Sequence, residues 1–276
     1  MKKIHVTTLV FLLLTATITV YGQKKIVILH TNDTHSRIEP IPETDKNAPD
    51  KGGVLRRAEY IEQVRRENKN VILLDAGDFL QGTPYYNLFK GKVETESMNM
   101  MQYDAATLGN HEFDYGLEGM KEVVEWAKFP ILSSNYDFSE TILKDAFQPY
   151  LILKRDGVKI GVIGINVQPR GLIATDNYMG MKFLDPIATA NSFARKLKTV
   201  DKCDLIILLS HLGYTSDKKL AQESQNIDII IGGHSHTYMR EPDLVENADG
   251  KEVMIYQTAG RGIYVGRIDV ELEKMK

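Results

Sequence analysis

The chain has 276 residues, a formal net charge of −3 at pH 7, 43% hydrophobic residues and a single cysteine. This length and composition allow a sizeable core, and one cysteine excludes an internal disulfide, so Cys203 is expected to be a packing residue. Acidic and basic residues are interspersed, with no basic stripe, which argues against binding of a nucleic-acid polymer through its phosphates.

Residues 1–22 have the pattern of a cleaved secretory signal. Lys2 and Lys3 precede an apolar run over residues 6–20, and Gly22 supplies a small residue at the expected cleavage point. An uncleaved membrane anchor is the alternative, but the run is shorter and more interrupted by threonine than the roughly 20 residues of a spanning helix. We therefore expect an exported protein, periplasmic or extracellular, that begins near Gln23 without stable membrane insertion.

Short runs of β-branched and other apolar residues alternate with helical patterns along the rest of the chain. These runs predict buried strands over residues 24–30, 71–78, 104–111, 159–166, 204–211, 228–234, 253–259 and 264–272. Apolar residues at helical spacing predict helices near residues 54–64, 117–127, 186–200 and 216–225. The alternation predicts an α/β domain of βαβ type, with the last two strands paired antiparallel. An exposed loop is predicted over residues 39–51.

Side chains that can bind a metal ion come directly after, or at the end of, five of the predicted strands. They are Asp33, His35, Asp78, Asn110, His111, His211, His234 and His236. Because open α/β sheets bind their ligands at the carboxyl ends of the strands, we expect these side chains to lie close together. The chain has seven histidines, and five of them are in these turns. His30 lies inside an apolar run instead and is expected to be structural.

Each of these residues has an ordinary explanation when it is considered alone. Aspartate and asparagine are common turn formers and helix N-caps, and a single histidine is commonly structural. Their joint occurrence favours a metal site instead. So many imidazole, carboxylate and amide donors exceed one tetrahedral site, which indicates two divalent ions, and mixed nitrogen and oxygen ligands suit Zn, Mn, Fe or Co. Two such ions suit the hydrolysis of phosphate esters.

Short blocks in a fixed order resemble those of the calcineurin-like metallophosphoesterases. They are DTH at 33–35, GD at 77–78, GNHEFD at 109–114, SH at 210–211 and GGHSH at 232–236. Longer blocks are similar to those of the secreted bacterial 5′-nucleotidases: HTNDTHSR at 30–37, KGGVLRRA at 51–58, QGTPYYNLFKG at 81–91 and GNHEFDYG at 109–116. The resemblance implies an αββα sandwich with mixed central sheets and metal ligands at the carboxyl ends of strands. It also implies that residues 23–276 form one metallophosphatase catalytic domain.

The resemblance further implies a role for each residue of the site. One metal ion would be bound by Asp33, His35 and His236, the other by Asn110, His211 and His234, and Asp78 would bridge them. His111 would stabilise the phosphoryl charge or protonate the leaving oxygen, and Asp114 would orient its ring. Asp114 is also a candidate N-cap for the helix that begins near Leu117, and the two roles are compatible. Glu112 is expected to be structural.

The implied activity is that of an exported 5′-nucleotidase-like phosphomonoesterase, in which a metal-bridging hydroxide attacks phosphorus. One departure favours an alternative, since the nucleotidases commonly have Gln or Asn where this chain has His236. The second candidate is therefore a 2′,3′-cyclic-nucleotide or other phosphodiesterase. In addition, no segment resembles the C-terminal domain that binds the nucleoside in full-length 5′-nucleotidases. A separate nucleoside-binding protein, or a metal-binding subunit without turnover, is a further alternative.

Overall fold

The computed structural model describes residues 24–272, so the predicted signal segment lies outside the described residues. The strands are β1 (Lys24–Thr31), β2 (Val71–Asp75), β3 (Ala105–Thr107), β4 (Ile131–Leu132), β5 (Tyr136–Asp137), β6 (Tyr150–Arg155), β7 (Val158–Ile165), β8 (Lys182–Phe183), β9 (Leu205–Ser210), β10 (Ile229–Gly232), β11 (Asp243–Glu246), β12 (Glu252–Tyr256) and β13 (Gly266–Leu272). The helices are α1 (Val54–Glu67), α2 (Pro84–Phe89), α3 (Lys92–Met101), α4 (Gly116–Trp126), α5 (Pro186–Thr199) and α6 (Tyr214–Glu223).

The strands form two mixed sheets and a small ribbon. The first sheet has the order β13-β1-β2-β3-β4, the second has the order β11-β12-β10-β9-β7-β6, and β5 pairs with β8. Within the first sheet β1 to β4 are parallel, while β13 runs antiparallel to β1. Within the second sheet β12, β10, β9 and β7 are parallel, and the edge strands β11 and β6 are antiparallel. The predicted α/β class with mixed sheets is confirmed.

The predicted pairing of the last two strands with each other is wrong. β12 lies in the second sheet, whereas β13 lies in the first and pairs with β1 from Lys24↔Leu272 to His30↔Gly266. The reason is that residues 257–265 carry the chain from one sheet to the other, where β13 covers an otherwise free edge of β1. Sequence periodicity identifies a strand but contains no information about its partner.

The alternation of side chains along the strands produces a four-layer sandwich. In β1, Ile26 and Ile28 belong to the core between the two sheets, while Val27 and Leu29 pack in the core that contains residues of α1, α3 and α4. The other face of the second sheet packs against α5 and α6, and Cys203 is buried there, as expected from its sequence. Each large apolar side chain buried in this way contributes about 1.5–3 kcal/mol relative to exposure.

Two of the predicted strands that precede the polar motifs end earlier than predicted. β2 ends at Asp75 and β3 at Thr107, so residues 76–83 and 108–115 leave the sheet as loops and short turns. Residues 39–51 contain neither helix nor strand and are mostly exposed, although Ile41 is buried. Among the described residues, no helix combines the length and apolarity that crossing a bilayer requires.

Candidate metal centre

The loops after β1, β2, β3, β9 and β10 meet at one edge of the sandwich. They contribute to a cleft with a volume of about 520 Å³, whose walls include His35, Asp78, Asn110, His111, His234 and His236. Asp33 and His211 lie beneath this surface, where both are fully buried. The structure therefore brings together the side chains that follow five separate strands. His30 lies apart from them, buried beside Tyr256, which agrees with its expected structural role.

One group of donors is formed by Asp33, His35 and His236. His35 Nε2 and His236 Nε2 are 2.9 Å apart, and His236 Nε2 lies 3.3 Å from Asp33 Oδ1. The three side chains offer ligand atoms that all lie within 4.8 Å of one another. Two imidazole nitrogens and a carboxylate oxygen that point at the same small volume match the donor set of a transition-metal site.

A second group of donors lies around Asp78, next to the first group. His211 Nε2 lies 3.1 Å from Asp78 Oδ2, and His234 Nδ1 lies 3.0 Å from Asn110 Oδ1. Asp78 forms one possible metal-binding group with His211 and His234 and another with His35 and His111. It is therefore the carboxylate that lies between the two sets of donors.

The orientation of His211 tests whether this group fits a metal ion. His211 Nδ1 is 2.7 Å from the carbonyl oxygen of Ala76, to which it donates, and this leaves Nε2 as the nitrogen that faces the site. His211 Nε2 is buried and has no partner of hydrogen-bond geometry within the described chain. A ring held by a backbone carbonyl at one nitrogen and aimed into the site with the other is the usual arrangement of a metal-ligating histidine. The residues present therefore fit divalent ions.

The charges of the buried donors are coupled. Burial favours the neutral forms, but the attraction between Asp78 and His211 outweighs it, lowering the pKa of Asp78 and raising the pKa of His211 to about 10. Burial lowers the pKa of His35 and of His234, which keeps these two imidazoles neutral near pH 7. A neutral imidazole has the lone pair that metal binding requires, so His211 would release the proton on Nε2 when a metal ion binds.

The backbone of the site is strained at five of the candidate ligands. The residues in the left-handed region are Asp33, His35, Asp78, His234 and His236, with φ between 47° and 69°. Such conformations cost on the order of 1–3 kcal/mol each for residues other than glycine and persist only where the surroundings hold them. Here the amides of Asp33 and His35 donate to the carbonyls of Gly77 and Asp78, and the amide of His234 donates to the Asp33 carboxylate.

Glu112 connects two of the ligand-bearing loops. Its buried carboxylate accepts hydrogen bonds from the backbone amides of Asp78 and Phe79, each at 3.0 Å, and from those of Leu80 and Gly109. Removing this carboxylate would leave several buried amides without acceptors, each at a cost of about 1–3 kcal/mol. Glu112 is thus structural, as expected, but its contribution to the site was missed because nothing in the sequence indicates amide partners some thirty residues away.

His111 and Asp114 form a pair at the mouth of the cleft. His111 Nδ1 lies 3.0 Å from Asp114 Oδ2, and the backbone amide of His111 donates to Asp78 Oδ1 at 2.8 Å. The hydrogen bond to Asp114 raises the pKa of His111 to about 8, against the opposing effect of burial. The alternative that Asp114 is a helix N-cap is wrong. α4 begins two residues later, at Gly116, and its N-cap is Tyr115, without a side-chain capping bond, while the Asp114 carboxylate faces the imidazole.

Comparisons with known proteins identify the family of the chain. The family model described as calcineurin-like phosphoesterase matches residues 26–238. The snake venom 5′-nucleotidase of Crotalus adamanteus is 34% identical over 90% of this chain and 45% of its own length. The solved NAD nucleotidase of Haemophilus influenzae has a TM-score of 0.81 at 33% identity, covering 91% of this chain and 48% of the other. The 5′-nucleotidase precursor of Thermus thermophilus also has a TM-score of 0.81 at 33% identity, covering 90% of this chain and 51% of the other. The chain thus spans about half the length of these relatives.

Proposed function

Because this chain belongs to the calcineurin-like phosphoesterase family, we propose that it is a hydrolase of phosphate monoesters of the 5′-nucleotide type, dependent on two divalent cations. The observation that carries the proposal is the convergence of carboxylate, amide and imidazole donors from five loops around the shared carboxylate of Asp78. A single ion would leave part of this donor set unused, whereas two ions with a common ligand employ all of it.

We assign the donors as the sequence blocks imply. One ion would be held by Asp33, His35 and His236, the other by Asn110, His211 and His234, and Asp78 would be the ligand that the two ions have in common. When bound, zinc, manganese, iron or cobalt ions supply an activated water and neutralise charge on the phosphoryl group. The protein's own contribution is to hold the donor side chains in place before the ions and the substrate bind, through backbone conformations in the left-handed region.

His111 acts on the substrate rather than on the ions, and Asp114 acts through His111. Asp114 accepts the Nδ1 proton of His111, which directs His111 Nε2 as the free ring atom toward a bound phosphate ester. From that position a proton on Nε2 neutralises a phosphoryl oxygen or is given to the leaving oxygen. His111 is partly exposed and lines the cleft, so a substrate can reach it directly.

The nucleotide character of the substrate is inferred from the relatives, whose names specify 5′-nucleotides or NAD. Nucleoside recognition by a separate protein is a second candidate, which the binding measurement below tests. Export is proposed on the signal-like sequence of residues 1–22 and on the venom origin of one relative.

A substrate panel on the metal-reconstituted chain tests the proposed function. We expect turnover of a 5′-mononucleotide that is lost on chelation and restored by zinc, manganese, iron or cobalt. Preferential turnover of a 2′,3′-cyclic nucleotide would favour the phosphodiesterase, the candidate that His236 supports. Binding of the free nucleoside to this chain alone would make a separate nucleoside-binding protein unnecessary. Absence of turnover with every ester, in protein that retains its metal, would contradict the proposal.

A further inference from the structure

Two arginines line the same cleft as the candidate metal ligands but are not part of the donor set. Arg37 comes two residues after His35, and Arg261 lies in the segment that connects the two sheets. Both side chains are half-buried. The cleft therefore has a cationic wall beside the place where a phosphate ester would meet the ions.

The position of Arg261 is set by both its backbone and its side chain. Its amide donates to the carbonyl of Asp33 at 2.7 Å, and its φ of 62° lies in the left-handed region. Its guanidinium donates from Nη2 to Asp45 Oδ2 at 2.9 Å, so the loop over residues 39–51 supports it from outside the cleft. Asp45 is itself held by the amides of Asn47 and Ala48. Arg261 is thus prepositioned and partly neutralised.

Arg37 has no comparable partner. Within residues 24–272 its guanidinium enters no ion pair, and its Nε is buried without a hydrogen bond. A side chain added at Gly262 would come within 3.7 Å of Arg37 Cβ, which shows that the loop carrying Arg261 packs directly against it. The Asp45 carboxylate pairs with Arg261 and not with Arg37, so the two guanidinium groups together retain a net positive charge.

We propose that Arg37 and Arg261 form a subsite for a second phosphoryl group of the substrate, adjacent to the one bound at the metal ions. This inference rests on the proposed function, since it presumes that the first phosphoryl group lies among the donors around Asp78. A monophosphate leaves the guanidinium pair unused, whereas two linked phosphates, as in a nucleoside diphosphate, place negative charge at both positions. The planar fork of arginine suits such oxygens, because it donates two parallel hydrogen bonds to them.

The test uses two phosphonates that resist hydrolysis, and it measures binding rather than turnover. Methylphosphonate carries one phosphoryl group and methylenebisphosphonate carries two linked groups. Their affinities for the metal-loaded chain are measured by calorimetry, with metal content determined before and after, in wild type, Arg37→Gln, Arg37→Lys and Arg261→Gln. Arg195→Gln is the matched control, because Arg195 is exposed on α5, away from the cleft.

We expect Arg37→Gln and Arg261→Gln to weaken bisphosphonate binding at least about tenfold, with methylphosphonate binding within about threefold of wild type. Arg37→Lys should retain more bisphosphonate affinity than Arg37→Gln, and Arg195→Gln should match wild type. Unchanged bisphosphonate affinity in both glutamine variants, or equal weakening of both probes, would overturn the subsite while leaving the metal centre in place. Failure of the metal-loaded wild type to bind methylphosphonate would instead remove the proposed function and the subsite with it.

Discussion

The floor and the rim of the cleft differ in how much freedom their side chains have. We define the floor by its buried donors, Asp33, Asp78 and His211, and the rim by its accessible groups, His236, His111 and Asp114. The floor side chains are at most 3% exposed, whereas those of the rim are 32–46% exposed. Floor donors are held by backbone amides and carbonyls, while rim groups keep one face open. We therefore expect metal retention to depend chiefly on the floor and turnover chiefly on the rim.

The largest effect is expected at the floor, for Asp78→Asn. The substitution removes the carboxylate that lies between the two sets of donors, so that two dications would face each other with less negative charge between them. We expect metal content to fall and turnover to drop to the level of chelated protein. Mass spectrometry of the purified variant measures its metal content, and phosphate release measures its turnover.

Asp176→Asn serves as the control for this substitution, because Asp176 is an exposed carboxylate that is not one of the candidate donors. It should keep wild-type metal content. Full metal occupancy in Asp78→Asn would remove the distinction between floor and rim, since the buried carboxylate between the two sets of donors would then not be needed for retention.

An intermediate effect is expected at the rim, for His111→Asn. Asparagine keeps a polar side chain but cannot hold or transfer a proton, so turnover should fall by about 10²–10⁴-fold. Metal content should remain close to that of wild type, because the backbone amide of His111, which contacts Asp78, is unchanged. Parallel measurement of the metal content and the turnover number separates the two quantities.

Asp114→Asn is the companion variant, since Asp114 acts through the imidazole of His111. A smaller loss, about 10–100-fold in turnover, is expected for a group that orients another. Wild-type turnover in His111→Asn would be incompatible with the proposed role of the rim.

The smallest effect concerns a carboxylate beneath the floor. Asp217 is buried and accepts a hydrogen bond from Ser210, the residue before His211. Burial raises the pKa of Asp217 to about 7, above its value in the unfolded chain. The folded state therefore binds the proton more tightly, and stability is lost as the pH rises toward the folded pKa.

We expect the free energy of unfolding of wild type, relative to Asp217→Asn, to fall by up to about 1.4 kcal/mol per pH unit between about pH 5 and 7. Urea unfolding at a series of pH values in chelated buffer measures this slope, with Asp176→Asn as the surface control. Parallel profiles for wild type and Asp217→Asn would show that Asp217 titrates alike in the folded and unfolded chain.

Local patterns in the sequence predict the strands that form the core, because buried strands require apolar runs whatever their partners. They also predict that the polar groups after five strands meet, since parallel strands end at a common edge. The roles of these groups as ligands stay predictions. The pairing partner of a strand could not be predicted from local patterns, as the pairing of β13 with β1 shows. The amide contacts of Glu112 and the Arg37–Arg261 wall likewise arise from residues that are distant in sequence, and no local signal marks them.

The segment between β12 and β13 has a consequence for synthesis of the protein. Asn32, at the end of the first strand, bonds to Thr258 and Ala259, and Arg261 bonds to Asp33. The strand made first by the ribosome thus gains its edge partner only when the last described strand has emerged. Contacts of such long separation form slowly. The nascent chain therefore lacks a finished site, and leaves one edge of β1 unpaired, until residues 266–272 are available.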